Sequence, residues 1–345
     1  MRKHNPPQNI LIIRIDRMGD LIVSTPAILM LEQAFPEARF TYLLSPCNQK
    51  ILDNGKRDIW LYDKQMSLRD KTRLLSSIIR LKADCTICMS PKHFAYLATC
   101  MSYAHQRYAM IYANTSIKQW LISQCMTHSM AISRKQPNIN FPTHHGDRIV
   151  ELISPLIKNT PKPSFHITLE HRDIIQGTFI GIHLDQRWKH ANWTTSELQN
   201  LFKSIEATTQ KPIVITADVE HYPGLFDPND IIGTSPQQIV KPSLGQWTVF
   251  DQAEYPLWAN IIRQASKWIT AEGGSVHIAA SVKTPCIAWI DTALYGKASI
   301  RSHQTFQSIC SEWLKPAYHH AIFHCGDLEK LKQNILTAIE SGDMT

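Results

Sequence analysis

The sequence predicts an α/β protein made of two doubly wound domains that face a cleft. The chain has 345 residues, which is long for a single hydrophobic core. Short apolar segments alternate with helical segments in both halves, a pattern typical of parallel sheets. A polar, proline-containing stretch at residues 158–164 separates the two series. It predicts an N-terminal domain of residues 1–163 and a C-terminal domain of residues 164–345.

The N-terminal half alternates predicted strands with predicted helices. The strands are residues 10–15, 39–44 and 86–89. The helices are residues 21–34, 71–81, 94–102 and a segment from 147 to 157. Pro26 lies inside the first helix and predicts a break or a second start near Ser24 and Thr25. Residues 115–133 predict one amphipathic helix, which packs on a core more often than it lies on a membrane surface.

The C-terminal half repeats this alternation. Its predicted strands are residues 178–184, 212–216, 268–270 and 286–290. Its predicted helices are residues 195–208, 256–265 and 275–281. Residues 326–341 predict a last helix, which could pack back on the first domain.

The charge is unevenly divided between the halves. Residues 1–170 carry 22 Lys and Arg against 12 Asp and Glu, whereas residues 171–345 carry 14 against 17. No acidic residue lies between Asp84 and Asp147. Five basic residues lie in that interval: Lys92, Arg107, Lys118, Arg134 and Lys135. This pattern favours an anionic partner, either a polyanion or an anionic membrane surface, over a merely solvated face. No nucleic-acid-binding motif accompanies it.

Other classes of protein are disfavoured. No apolar run approaches the roughly 18 residues of a membrane span, and no apolar segment follows the first charges as in a signal peptide. We therefore expect a cytoplasmic protein without disulfides. Cys85 and Cys88 form a C-x-x-C, but no second pair follows at metal-ligand spacing, and their surroundings predict a buried strand.

The first turn carries a candidate functional carboxylate. Gly19 and Asp20 follow the first predicted strand, and open α/β sheets bind ligands at the carboxyl ends of their strands. The alternative is a helix N-cap, which residue types alone favour. A dinucleotide site would need G-x-G-x-x-G and a P-loop would need G-K-[ST]; the turn contains neither.

A second constellation lies in the segment WITAEGGSVHIAASVKTPCIAWI, residues 268–290. Gly273 and Gly274 precede a helix that starts near Ser275, and a helix N-terminus is suited to binding an anion such as phosphate. His277 can add a donor, and Glu272 suits ribose hydroxyls. The alternative is a tight strand–helix connection with His277 as an ordinary surface residue.

Two further segments can add contacts to a phosphate and a ribose. Lys189 or Arg187, after the strand at 178–184, can supply the positive charge that a departing diphosphate needs. Glu220 can reach a ribose, although a solvated loop carboxylate is the commoner outcome. No D-x-D cluster of the kind that binds a metal is present.

Together, IIRIDRMGDLIVSTPAILMLEQAFP and EGGSVHIAASVKTPCIA resemble glycosyltransferase family 9, the lipopolysaccharide heptosyltransferases. The resemblance implies a GT-B fold of two Rossmann-like domains, with neither metal nor cofactor. It implies inverting transfer of a sugar, usually heptose from ADP-heptose, onto an anionic lipopolysaccharide core at the inner face of the cytoplasmic membrane. Nucleic acid is not an expected partner.

The resemblance also assigns roles to residues. Asp20 matches the catalytic base, and Gly274 and His277 match the glycine and histidine of D-[ST]-G-x-x-H. Ser275 and Glu220 fall on the nucleotide side. We expect acceptor contacts from the turn and from the basic first domain, at Arg17, Gly19, Lys50, Lys92 and Arg107.

The sequence departs from the family pattern on the donor side. Glu272 replaces the family's aspartate, Gly273 its serine or threonine, and Ala191 its lysine. These changes affect the identity of the nucleotide sugar more than the class of reaction. Three alternatives remain: a transferase that uses another nucleotide sugar, a nucleotide-sugar epimerase, and a non-enzymatic polyanion-binding protein.

Overall fold

The structure is a computed structural model that describes residues 6–113, 117–133, 144–157, 160–233, 238–291, 310, 313–314 and 319–341. The chain divides into two compact units, Met1–Thr168 and Leu169–Thr345. The sequence placed this boundary after residue 163. Residues just beyond that point are bonded to unit 1: His166 N donates to Thr25 Oγ1 at 2.9 Å, and Thr168 N donates to Ile51 O at 2.7 Å.

In its described residues, unit 1 has a six-stranded parallel sheet in the order β3-β2-β1-β4-β5-β6. Its strands are β1 (Asn9–Arg14), β2 (Arg39–Leu44), β3 (Asp58–Leu61), β4 (Cys85–Cys88), β5 (Gln106–Ala113) and β6 (His128–Ser133). Its helices are α1 (Met18–Ala34), α2 (Pro46–Leu52), α3 (Leu68–Leu81), α4 (His93–Met101), α5 (Ile117–Gln124) and α6 (His145–Ile153). The strand order reverses between β1 and β4, so the loops that follow these two strands diverge and leave a crevice.

Helix α1 runs without a break through Pro26, so the predicted break is wrong. Proline cannot donate to the carbonyl four residues earlier, which here belongs to Ile22. Thr25 Oγ1 donates to that carbonyl at 2.7 Å and replaces the missing bond. The helix also begins at Met18, three residues before its predicted start.

The predicted single helix at residues 115–133 is wrong in its second half. Helix α5 ends at Gln124, and β6 then pairs in parallel with β5. The turn between them is fixed where Arg107 N donates to Thr127 Oγ1 at 2.7 Å. Trp120 and Leu121 are 60% and 54% exposed, so this face of α5 does not pack on the core.

Unit 2 contains, in the part that is described, a seven-stranded parallel sheet in the order β13-β12-β11-β7-β8-β10-β9. Its strands are β7 (Ile180–Leu184), β8 (Ile213–Ala217), β9 (Ile231–Ile232), β10 (Thr248–Asp251), β11 (Lys267–Ala271), β12 (Cys286–Ile290) and β13 (Ala321–His324). Its helices are α7 (Gln186–His190), α8 (Thr195–Thr209), α9 (Leu257–Gln264), α10 (Gly274–Val282) and α11 (Leu328–Glu340). The strand order reverses between β7 and β11.

The terminal helix α11 packs within unit 2, where it contacts α8 and β13. Leu331 and Ile335 of this helix are fully buried in the same core as Trp188 and Trp289. The rings of those two tryptophans meet edge to face at 5.1 Å. The end of α11 is held by Lys267, whose Nζ donates to the carbonyls of Ala338, Ile339 and Ser341.

No helix in the described part of the chain is long and apolar enough to cross a membrane.

Candidate functional site

Asp20 lies at the carboxyl end of β1, beside the crevice between β1 and β4. It is the third residue of α1, and its Oδ2 accepts a hydrogen bond from Arg17 N at 3.1 Å. This is the helix-side half of a capping box rather than an N-cap, because Arg17 itself occupies the N-cap position. The Asp20 side chain remains 23% exposed. Capping and ligand binding are therefore compatible at this residue.

Arg14, the last residue of β1, is only 1% exposed and stabilises this turn by hydrogen bonds. Its Nε and Nη2 donate to the backbone carbonyl of Asp20 at 3.0 and 2.7 Å. Its Nη1 pairs with Asp16 Oδ2 at 3.1 Å and also donates to Met89 O at the end of β4. The Asp20 carboxylate is farther away, with Oδ1 3.9 Å from Arg14 Nη2.

Two neighbouring helices make hydrogen bonds to Arg14 and Asp16. In α2, Asn48 Nδ2 donates to the carbonyls of Arg14 and Asp16 at 3.0 and 3.1 Å. In α6, His145 Nε2 lies 3.1 Å from Arg14 Nη2 and accepts its hydrogen, since a guanidinium can only donate. Helix α6 comes this close because Gly146 has no side chain: a Cβ there would lie 2.7 Å from Val23 O of α1.

Three of the five predicted acceptor residues lie at this turn. Arg17 and Gly19 belong to it directly, and Lys92 Nζ lies 3.8 Å from Asp16 Oδ1. Lys50 is exposed in the last turn of α2. Arg107 does not join the group, because it lies near the amino end of β5, at the opposite edge of the sheet from Asp20. There its guanidinium donates to the carbonyls of Cys125 and Ala104 at 2.6 and 2.7 Å.

Unit 2 has a cavity of about 180 Å³ where β11 and β12 end and where α7 follows β7. It is lined by Arg187, His190, Ala271, Glu272, Trp289, Ile290 and Asp291. Lys189 is exposed on α7 and is not one of these lining residues. Of the two predicted phosphate-binding cations, the structure therefore brings Arg187 to the cavity that Glu272 lines.

Gly273 allows the guanidinium of Arg187 to approach the strand–helix turn. A Cβ at Gly273 would lie 2.9 Å from Arg187 Nη1. The same guanidinium is ion-paired with Asp185, whose Oδ1 also accepts a hydrogen bond from Arg187 N at 2.9 Å. The arginine thus bridges the loop after β7 and the turn after β11.

Helix α10 begins at Gly274, with Gly273 as an N-cap that offers no side chain to its N–H groups. Its positive end therefore lies beside the cavity-lining Glu272. Ser275 faces the sheet, since its Oγ is 2.7 Å from Thr270 Oγ1. His277 is only 4% exposed, so the interpretation of it as an ordinary surface residue is wrong.

Glu220 lies on an exposed helical turn, Val219–His221, after β8. This turn is attached to the loop after β7: Tyr222 Oη donates to Asp185 O at 2.5 Å, and Gln186 Nε2 lies 2.9 Å from His221 Nε2. The described residues that line the cavity do not include Glu220.

The sequence did not predict a polar group around His183 of β7, which points to the opposite side of the unit 2 sheet from its neighbours Ile182 and Leu184. His183 Nδ1 lies 2.9 Å from Thr216 Oγ1 on the adjacent strand, and its ring packs against Trp258 at 4.7 Å. Burial lowers the pKa of His183. The available signal was a polar residue inside the apolar strand IGIHL.

The support of Asp20 in unit 1 was also missed. Arg14, Asp16, Asn48 and His145 were not predicted as part of the site. For Arg14 the signal was a charge at the end of an otherwise apolar strand, NILIIR, because such a charge is buried only when it is paired. Asp16 lies two residues after Arg14 in the same segment, whereas Asn48 and His145 reach this turn only through tertiary packing.

Comparison with solved structures identifies the fold. A family 9 glycosyltransferase from Veillonella parvula DSM 2008 aligns with a TM-score of 0.66 at 15% identity, covering 98% of this chain and 92% of that chain. The E. coli heptosyltransferase WaaC with ADP aligns with a TM-score of 0.63 at 14% identity, covering 96% and 99%. E. coli ADP-heptose lps heptosyltransferase II gives 0.63 at 11% identity, covering 96% and 98%.

The chain has the GT-B fold of these enzymes. The alignments confirm the predicted resemblance to family 9 at the level of the fold. No protein-family model and no curated protein sequence matches the chain. At these identities the function must be argued from the residues of the two units.

Proposed function

We propose that this protein is an inverting, metal-independent glycosyltransferase that moves heptose from ADP-heptose onto a lipopolysaccharide core or a related anionic glycan. The observation that carries the proposal is that each unit of this GT-B fold has a suitable polar feature at the point where its strand order reverses. Unit 1 has a carboxylate, Asp20, at its strand-order reversal. Unit 2 has a cation, Arg187, and a helix N-terminus at its own reversal. One feature suits a base and the other suits a diphosphate.

In the proposed reaction, the Asp20 carboxylate takes the proton of an acceptor hydroxyl as that oxygen attacks the anomeric carbon. The bond from that carbon to the diphosphate oxygen breaks in the same displacement, and nucleoside diphosphate leaves. Attack from the face opposite the leaving group inverts the anomeric configuration. The departing negative charge is stabilised by Arg187 and by the N–H groups at the start of α10.

The base assignment is tested by Asp20→Asn. General-base catalysis typically contributes 10²–10⁴-fold, so we expect a loss of about 10³-fold in kcat with donor affinity retained. Asp70→Asn is the matched control, because Asp70 is likewise the third residue of its helix and is bonded to the N-cap Ser67. Full activity in Asp20→Asn would contradict the mechanism.

The donor is tested by thermal shift with ADP-, GDP-, UDP- and CMP-sugars. Stabilisation by ADP species alone supports heptosyl transfer, whereas preference for another base redirects the proposal to that nucleotide sugar. Arg187→Ala should lower kcat about 10²–10³-fold, the usual cost of removing one group that stabilises developing charge. Lys189→Ala, on the same helix but outside the cavity lining, should leave kcat close to that of the wild type.

The assay must also separate transfer from the alternatives. An epimerase would convert the donor with no acceptor present, so an acceptor-free reaction distinguishes it from a transferase. A polyanion-binding protein would show tight, steeply salt-dependent binding to DNA or RNA and no turnover.

We further propose that unit 1 contacts an anionic membrane surface at the inner face of the cytoplasmic membrane. The support is the exposed pair Trp120 and Leu121 on α5, within a sequence interval that carries basic but no acidic residues. Binding to vesicles of phosphatidylglycerol, measured by co-sedimentation, should weaken in Trp120→Ser. The exposed Leu244→Ser of unit 2 serves as control. Equal binding of both variants to the vesicles would show that α5 does not contact the membrane.

A further inference from the structure

We propose that Arg14 and Asp16 are the positioning residues of Asp20, an inference that rests on the base role proposed above. Arg14 fixes the turn by binding the carbonyl of Asp20. Asp16 holds the guanidinium in an orientation that keeps it out of a close ion pair with the Asp20 carboxylate. Neither residue is assigned contact with the reacting atoms.

The first step of the argument is where the guanidinium points. Two of its nitrogens, Nε and Nη2, donate to the carbonyl of Asp20 at 3.0 and 2.7 Å, whereas Nη2 lies 3.9 Å from the carboxylate Oδ1. Because two donors of one rigid guanidinium converge on the Asp20 carbonyl oxygen, they fix both its direction and its distance from Arg14. Arg14 therefore anchors the backbone at Asp20 through two close hydrogen bonds, and its ion pair with the side chain is a long one.

The second step is what keeps the guanidinium in that orientation. Asp16 Oδ2 lies 3.1 Å from Nη1, and the Asp16 side chain is 6% exposed against 1% for Arg14. His145 Nε2 accepts from Nη2 at 3.1 Å, and Met89 O accepts from Nη1. A guanidinium without Asp16 would be drawn towards the remaining carboxylate, that of Asp20.

The third step is that Asp16 itself is immobilised. Its carbonyl accepts from Ser45 Oγ at 3.0 Å and from Asn48 Nδ2 at 3.1 Å. The preceding residue is tied to the loop after β4, where Ile15 N donates to Ser90 Oγ at 2.9 Å. Helix α2 with its N-cap and the loop after β4 thus fix the backbone that carries the Asp16 carboxylate.

The chemical consequence concerns the oxygens of the base. Asp20 Oδ2 accepts from Arg17 N, whereas no hydrogen bond to Oδ1 is recorded among the described residues, so Oδ1 is the better placed oxygen to take the acceptor's proton. A close pair with Arg14 would occupy Oδ1. Displacing a reacting group by about 1 Å can cost about 10²-fold in rate.

The test uses Arg14→Lys, which keeps the charge but cannot donate to all of the guanidinium's partners from one nitrogen. Its matched control is Arg57→Lys, because Arg57 makes a similar forked pair with Glu32 elsewhere in unit 1. Hydrogen–deuterium exchange of residues 15–24 is measured without substrate, and kcat and KM are measured with donor and acceptor. We expect faster exchange at the turn and about 100-fold lower kcat, without a matching rise in KM, in Arg14→Lys only.

Asp16→Asn is the second variant and guards against a folding defect, since it preserves shape and removes only charge. It should leave the turn ordered but lower kcat about tenfold. Turn exchange of Arg14→Lys at the level of the Arg57→Lys control, or unchanged kcat in both Arg14→Lys and Asp16→Asn, would overturn the inference. Absence of heptose transfer by the wild type would instead refute the proposed function. In that case, hydrogen–deuterium exchange of residues 15–24 in Arg14→Lys, which needs no substrate, would alone decide whether Arg14 positions the turn.

Discussion

The clearest stability prediction concerns Lys267, a lysine that is only 8% exposed in β11. Its Nζ donates to Ala338 O at 3.0 Å, Ile339 O at 2.8 Å and Ser341 O at 2.9 Å. An ammonium has three hydrogens, enough to serve all three of these carbonyls. The acceptors lie at the end of α11, where a helix leaves its last carbonyls unpaired and carries partial negative charge.

Lys267→Met keeps most of the apolar stem and removes the charge and all three donors. Hydrogen bonds to a charged group contribute about 1.5–3 kcal/mol each, but desolvation of the ammonium offsets part of their sum. Each buried carbonyl left without its donor costs about 1–3 kcal/mol, and the relief of desolvation offsets part of the sum, so we expect a net loss of about 3–5 kcal/mol. For a unit of this size, each kcal/mol corresponds to about 2–4 °C in Tm, which gives a decrease of about 10 °C.

The measurement is differential scanning calorimetry of the full chain. Lys211→Met is the control, because Lys211 makes one long contact in the same unit, with Nζ 3.5 Å from Ser266 Oγ. A surface change of this kind should stay within about 0.5 kcal/mol of the wild type. If Lys267→Met unfolds at the same temperature as Lys211→Met, the last helix is not held by this lysine and the reasoning fails.

Three further outcomes can be checked in solution. Burial lowers the pKa of His183, so the unfolded chain binds more protons below about pH 6.5 and stability falls as the pH decreases through that value. Urea unfolding of His183→Gln at pH 5–7 should show a shallower fall. Burial raises the pKa of the Cys88 thiol to about 12, so in native protein at about pH 8 iodoacetamide should alkylate the exposed Cys47 and spare Cys88, as read by mass spectrometry. Gly146→Ala should lower the free energy of unfolding by about 1–3 kcal/mol, because its Cβ would meet Val23 O at 2.7 Å; an unchanged urea midpoint would show that α1 and α6 can move apart.

Local sequence signals predicted the elements that carry the site. The apolar run before Gly19 and Asp20 predicted β1 and the turn after it, and the segment around Gly273 predicted the β11–α10 turn. Both signals are local, because a buried parallel strand is an apolar run and a sharp turn into a helix needs small or capping residues. The catalytic role of Asp20 stays a prediction that the proposed variants test.

Tertiary packing determined what the sequence could not predict. Helix periodicity over residues 115–133 did not reveal that the chain turns back as β6, since the pairing partner, β5, is distant in sequence and was itself not predicted. Arg107 was assigned to the acceptor on charge alone, and charge does not say at which end of a strand a residue lies. The contact of His145 with Arg14 joins residues 131 apart in the chain and depends on how closely α6 packs on α1.

The departures from the family pattern on the donor side are geometrically connected. The resemblance implies a serine or threonine where this chain has Gly273, and a lysine where it has Ala191. A side chain at 273 would begin 2.9 Å from Arg187 Nη1, so the missing side chain creates the space in which the guanidinium lies. Ala191 is buried at the end of α7 and carries no charge, whereas Arg187 of the same helix lines the cavity. The absence of a side chain at Gly273 and the position of the Arg187 guanidinium are therefore geometrically linked. This supports the proposal that Arg187 stabilises the leaving diphosphate, and it makes restoration of serine at 273 a perturbation of the arginine as much as of the turn.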